Sequence, residues 1–204
     1  MRATTFPYNL PWLLRLAWAH RGVLGIASHL TASERAVLYR LAYHFGGDGV
    51  LEIGSYLGAS GAALAAGLAD RNGTARLVCV DTWLNDTMSE GARDTWAAFH
   101  HNTARYRARI DAVRGLSAES APAVADRLQQ PLSLAFFDGD HSPEGVRRDW
   151  EAYRPLLGPG AVVAFHDVGW AEGVQRLVAE SIAPRAEWSQ QLPNLYWARL
   201  RHEH

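Results

Sequence analysis

Five short apolar runs constrain this fold more than any other feature. Residues 50–54, 75–81, 110–115, 132–138 and 160–167 each read as a strand, and a stretch of helical periodicity separates each from the next. Strands alternating with helices build a parallel sheet covered on both faces. Ligands of such an open sheet sit beyond the carboxyl ends of its strands. Those ends are Gly54, Asp81, Gly115, Asp138 and the pair His166–Asp167. Two runs, LAFFDGDH (134–141) and AVVAFHD (161–167), finish in acid and imidazole together. Both patches are expected to face one crevice.

The flanking segments read less sharply. Residues 10–30 look like one amphipathic helix, with Leu13, Leu16, Ala17 and Leu24 near helical spacing. LTASERAVLYRLAYHF reads as a stronger helix, capped by Ser33, with Val37, Leu38, Leu41 and Ala42 on its apolar face. AEWSQQLPNLYWARLR reads as two strands joined at Leu192–Asn194. The chain divides into an N-terminal helical extension, 1–45, and a main domain, 46–204.

Composition removes several classes. Net charge is −1, without the basic stripe of a nucleic-acid binder. The single cysteine, Cys79, lies inside an apolar strand, which excludes an internal disulfide framework and fits a reducing cytoplasm. The most apolar candidate span, 11–30, carries Arg15, His20 and Arg21, which argues against an integral membrane helix and a signal peptide. A cytoplasmic protein is expected.

The turn after the first strand, EIGSYLGAS, holds Glu52, Gly54, Ser55, Gly58 and Ser60. Glycines let a ligand approach the backbone, and the following helix N-terminus favours an anionic group. A dinucleotide fingerprint needs glycine where Tyr56 stands, so a pyrophosphate cradle is disfavoured. Glu52 would repel pyrophosphate and could pair with a cationic amine. At the other patch, Asp138, His166 and Asp167 form a candidate metal set. Oxygen ligands suit Mg²⁺, and a histidine widens the choice to Mn²⁺, Fe²⁺, Co²⁺ or Zn²⁺. A metal would lower the pKa of a bound hydroxyl and fix it for attack. His141 is the candidate base, its ordinary pKa lying near working pH. Asp140, Ser142 and Pro143 read as the start of a helix.

With these residues the chain resembles the class I S-adenosylmethionine-dependent methyltransferases. Glu52, Gly54 and Gly58 fit that superfamily's E/D-x-G-x-x-x-G turn, and Asp81 follows Gly58 by 23 residues. The stretch LAFFDGDHSPEGVRRDWEAYRPLLGPGAVVAFHDV is similar to bacterial small-molecule and sugar methyltransferases, relatives of the metal-dependent enzymes that act on catechols and macrolide sugars. The resemblance, over residues 30 to 170, implies a Rossmann-like, doubly wound, mostly parallel α/β sheet with a C-terminal antiparallel hairpin. It implies methyl transfer to a hydroxyl, in secondary metabolism. Glu52, Gly54, Ser55, Gly58, Ser60, Asp81, Trp83, Ser117 and Asp138 would bind the cofactor, with Asp81 on the ribose. Trp83 reads either as a plate against the adenine or as core, and Ser117 as an adenine contact, a helix cap or both. Asp138, His166 and Asp167 would match the metal ligands and His141 the base. The relatives usually have a carboxylate where this chain has His166, so His166 reads alternatively as a substrate contact or a support for Asp167.

A small-molecule acceptor is the expected partner, bordered by residues 84–105, the N-terminus, the loop after Asp167 and Trp170. The N-terminal helices read as a lid or a dimer contact. Two rival functions stay open: a non-catalytic cofactor-binding protein, and a metal-dependent hydrolase built on the His166–Asp167 pair.

Overall fold

The computed structural model of the chain describes residues 6–85, 91–128 and 130–202. Residues 86–90 of the expected acceptor segment lie outside them. Five strands run parallel: β1 (Gly49–Ile53), β2 (Arg76–Asp81), β3 (Ile110–Arg114), β4 (Leu132–Phe137) and β5 (Leu157–His166). β6 (Ala186–Gln191) and β7 (Leu195–Leu200) form an antiparallel hairpin joined to β5 through β7. The order is β3-β2-β1-β4-β5-β7-β6. The chain steps outward from β1 to β3, then returns to the far side of β1 at β4. The ends of β1 and β4 therefore flank the switch point where such sheets bind ligands.

Strand periodicity decides which helices meet which side chains. Val50, Leu134, Phe136, Val162 and Ala164 pack toward α1 (Phe6–Ala19), α2 (Ala32–Phe45), α3 (Ala59–Arg71) and α4 (Trp96–Thr103). Leu51, Ile53, Ala135, Phe137, Val163 and Phe165 pack toward α5 (Ala121–Ala125), α6 (Pro143–Tyr153) and α7 (Glu172–Leu177). By the same alternation Glu52 projects under α3 and His166 toward α2. The small residues of α3 let it lie close to α2: a Cβ on Gly67 would come within 2.3 Å of the Tyr39 carbonyl.

Three local expectations are corrected. The helix drawn over 10–30 ends at Ala19, and a turn through Gly22 leads to a short 3₁₀ segment, Val23–Gly25. Leu24 is therefore off its face. Thr31, not Ser33, caps α2, through a reciprocal capping box with Glu34. The helix expected after β3 shrinks to a 3₁₀ turn and the five residues of α5, with Pro122 in its first turn. Cys79 is buried in β2, as expected. No helix among the described residues is long and apolar enough to cross a membrane.

Candidate active site

The turn leaving β1 is shaped by main chain. Gly54 and Gly58 have φ of 82° and 86°, and Tyr56 shares the left-handed region at 45°. Gly54 is irreplaceable for a second reason: a Cβ there would lie 2.0 Å from the carbonyl oxygen of Asp138. Asp81 closes the turn. Its Oδ2 accepts from the amides of Ser55 (2.7 Å) and Tyr56 (2.8 Å), and its Oδ1 from the amide of Trp83 (2.6 Å). A carboxylate has about four acceptor sites, so roughly one is left for a ligand hydroxyl. Asp81 caps no helix.

Several expected cofactor contacts sit elsewhere. Glu52 is fully buried beneath α3, where strand alternation puts it. It accepts from Ser55 Oγ at 2.6 Å, Ser60 also bonds it, and its Oε1 has no partner. Burial pushes the Glu52 carboxyl up to about 7. Glu52 and Ser60 therefore brace the turn from below and do not line its open side. The Trp83 ring is wholly enclosed, 4.6 Å from Trp96 and 4.8 Å from Phe99 between ring centres. It is core, in the cluster that also holds Leu77 and Cys79 of β2, and its backbone is left-handed (φ 52°). Ser117, past the end of β3, makes no capping bond; its hydroxyl donates to Asp149 of α6.

The second patch is an ionic cluster at the ends of β4 and β5. His141 Nε2 stands 2.8 Å from Asp167 Oδ2 and 3.9 Å from Asp138 Oδ1. The carboxylates of Asp138 and Asp167 push His141 up to about 9, above the ordinary imidazole value on which its role as base was expected to rest. His166 Nδ1 lies 3.1 Å from Asp138 Oδ1 and 3.3 Å from Asp167 Oδ1, and its Nε2 lies 3.7 Å from Glu34 Oε2. Against the cost of burial, Asp138, Asp167 and Glu34 push His166 far up, to about 12. Asp167 overcomes its own burial through His141, His166 and Asn194 and is held well below the usual carboxylate range. Its backbone is left-handed, with φ of 60°.

The candidate metal set is thus rearranged. Asp138, His141 and Asp167 place one donor atom each within 4.8 Å of one another, a spacing that fits a divalent ion. His166 falls outside that set. Its ring is enclosed on the α2 side, with Nδ1 facing both carboxylates. Asp140 accepts from the amide of Ser142, which caps α6, so it is structural as expected. Trp170 is 64% exposed, donates Nε1–H to Asp167 Oδ1 at 2.7 Å, and stands edge-on to His141 at 5.4 Å.

Two site residues escaped the sequence reading. Asn194, in the β6–β7 turn, donates to Asp167 Oδ1 at 2.8 Å, and its own Oδ1 accepts from Gly169. Glu34 reaches His166 from α2 while its Oε2 also accepts from the Thr31 amide at 2.7 Å. The TASE pattern signals a capping box, and that signal hides the second contact.

A family model described as a methyltransferase domain matches residues 51–168. Solved structures share the fold. The O-methyltransferase TomG from Streptomyces achromogenes, in complex with SAM, is 21% identical with a TM-score of 0.67, over 93% of this chain and 89% of that one. A TDP-rhamnose 3′-O-methyltransferase of calicheamicin biosynthesis is 19% identical with a TM-score of 0.66, over 98% and 96%. The MycE methyltransferase of the mycinamycin pathway, in complex with Mg, SAH and mycinamycin VI, is 16% identical with a TM-score of 0.57, over 94% of this chain and 55% of that one. Likeness at these identities establishes the architecture.

Proposed function

Because this chain belongs to the methyltransferase-domain family, we propose that it transfers a methyl group from S-adenosylmethionine to a hydroxyl of a small molecule or sugar. One observation carries this reading. The glycine turn closed by Asp81 and the Asp138–His141–Asp167 cluster lie on the two sides of the switch point, and they meet where Gly54 touches the main chain of Asp138. A ligand laid over the turn would bring its reacting end to the cluster. The TDP-rhamnose enzyme supports a sugar hydroxyl as acceptor, and the SAM complex supports the cofactor.

S-adenosylmethionine supplies an electrophilic methyl on a cationic sulfur. The chain's residues do the rest. Asp81 takes a ribose hydroxyl at its remaining acceptor site, and Gly54 and Gly58 keep side chains out of the turn. Asp138 stands between the turn and the cluster. Trp170 offers an exposed aromatic face beside the acceptor. His141 holds a proton in the ion pair with Asp167 and must release it before it can take the acceptor's. A positioned base of this kind contributes about 10²- to 10⁴-fold. The donor set of Asp138, Asp167 and His141 fits a divalent ion, which would take the His141 nitrogen as a ligand in place of its role as base, and the Mg complex of MycE is consistent with one. Such an ion would lower the hydroxyl's pKa. α1 keeps the reading of lid or dimer contact: Leu10, Leu14 and Trp18 lie exposed along it at four-residue steps.

The test is calorimetric titration of metal-stripped protein with S-adenosylhomocysteine, repeated with Mg²⁺ and Mn²⁺. Micromolar binding that disappears in Asp81→Ala is expected. No binding under any condition would sink the methyltransferase reading, and hydrolysis of a phosphoester in its place would move the cluster to the rival hydrolase.

A further inference from the structure

Asp149 lies on α6, outside both patches, yet it is 4% exposed. Among the described residues, its hydrogen-bond partner is the hydroxyl of Ser117, which donates to Asp149 Oδ1. Tyr153, one turn further along α6, donates its hydroxyl to the Ser117 carbonyl at 2.6 Å. Asp149 Oδ2 comes within 3.2 Å of where a Cβ would stand on Gly139, just past the end of β4. Ser117 itself is only half-buried. The hydroxyl of this half-buried serine is thus anchored, through its hydrogen, to an enclosed carboxylate. The location is costly for an acid: burial pushes Asp149 up to about 6.

The polarity of that arrangement is fixed. A serine hydroxyl has one hydrogen and two lone pairs. With the hydrogen committed to Asp149, Ser117 Oγ can only accept. Strand order then says what it can accept from. The sheet runs β3-β2-β1-β4, with Asp81 at the end of β2 and the ionic cluster beyond β1. A nucleoside with its ribose on Asp81 and its 5′ end toward Asp138 has its base at the end of β3, where Ser117 stands. A 6-amino purine offers N–H to an acceptor, whereas a 6-oxo purine offers a second acceptor.

We propose that Asp149 is a positioning residue that makes Ser117 an obligate acceptor, so that the site selects a 6-amino over a 6-oxo purine in the cofactor. The inference rests on the methyltransferase reading above and assigns its base specificity to a residue two elements away.

The experiment compares S-adenosylhomocysteine with S-inosylhomocysteine by calorimetry on the full chain, its Asp149→Asn variant and its Ser117→Ala variant. The unaltered protein should prefer the adenosyl compound by about 10- to 100-fold, the effect of one buried polar mismatch. The asparagine side chain of D149N can donate to Ser117 as well as accept from it. The D149N preference should therefore fall to about threefold or less, chiefly because the inosyl compound binds better. A role confined to holding the loop would weaken both ligands alike and leave the ratio unchanged. S117A should lose the preference by weakening only the adenosyl compound, and Ser117→Thr, which keeps the hydroxyl, should restore it. The serine pair keeps the test decisive if D149N fails to unfold cooperatively. A ratio preserved in D149N or S117A overturns the inference while the cofactor reading stands. Absence of S-adenosylhomocysteine binding in the unaltered protein overturns both.

Discussion

The two rims of the crevice are made of different material. The rim at β1 and β2 is main chain: three backbone amides converge on Asp81, and the turn depends on Gly54 and Gly58 at positive φ. The rim at β4 and β5 is side chain: Asp138, His141, His166 and Asp167 crowd together, steadied by Glu34 from α2 and Asn194 from the hairpin. A rim of amides suits an invariant nucleoside, since backbone geometry varies little with the neighbouring sequence. A rim of charged side chains can be retuned one residue at a time, which suits an acceptor that differs among enzymes sharing a fold. The two should therefore fail separately when mutated.

The sharpest test of that separation is His141→Asn. It should lower kcat by about 10²- to 10⁴-fold. Affinity for S-adenosylhomocysteine should stay within about threefold, because the partners of His141 among the described residues are Asp138, Asp167 and Trp170, none of them in the turn. A parallel loss of cofactor affinity in calorimetry would mean that the rims are one unit. Gly54→Ala is the opposite test, because it strikes the seam. Its Cβ would meet the Asp138 carbonyl oxygen at 2.0 Å in a left-handed conformation. Strain and displacement together should cost about 3 kcal/mol of stability or more. Denaturant unfolding should show that loss, and both cofactor and acceptor binding should weaken together. A Gly54→Ala protein of unaltered midpoint would show that the seam is slack.

The same contrast explains what the sequence made legible. The five strand ends, the glycine spacing and Asp81 are local signals, because alternation and backbone conformation are written in neighbouring residues. The β-hairpin joined at Leu192–Asn194 was readable for the same reason. The ionic rim was readable only in part. Asp138, His141 and Asp167 belong to runs whose ends stood out. His166 was assigned to the metal set because adjacency to Asp167 says nothing about which face a side chain takes. Strand alternation turns it toward α2, where Glu34 meets it. Glu34 and Asn194 lie 132 and 28 residues from His166, and no local pattern ties them to it. Trp83 shows the converse case: an aromatic residue near a strand end read as ligand plate or core, and the ring packs into the core against Trp96 and Phe99.

Glu34→Gln sharpens the comparison from the side-chain rim. The glutamine amide oxygen can still accept from the Thr31 amide, so α2 keeps much of its cap, while the charge facing His166 is lost. A charged partner removed from a buried group costs about 1–3 kcal/mol. The melting temperature should fall, and turnover should fall with it as Asp138 and Asp167 lose a fixed support. Cofactor affinity should hold. A change in cofactor affinity without a change in turnover would assign α2 to the other rim.

The smallest effect concerns a residue that belongs to neither rim, and it has the opposite sign. Burial raises the Asp149 carboxyl from 3.8 to about 6. For an acid whose folded pKa is raised, the native state holds the proton to higher pH than the unfolded state does. Its contribution to stability is therefore intact below about pH 4, declines as pH rises toward 6, and stays lost above. A rise of that size corresponds to about 3 kcal/mol, and the weaker Ser117 bond in Asp149→Asn returns roughly 1 kcal/mol of that. The variant should thus exceed the unaltered protein by about 2 kcal/mol at pH 7 and fall about 1 kcal/mol below it near pH 4, as urea unfolding across that range would show. A difference that does not vary with pH would mean the Asp149 carboxylate is no burden to the fold. A difference that opens between pH 4 and 6 would mark Asp149 as an acid kept at the expense of stability, as a group that orients Ser117 for a ligand would be.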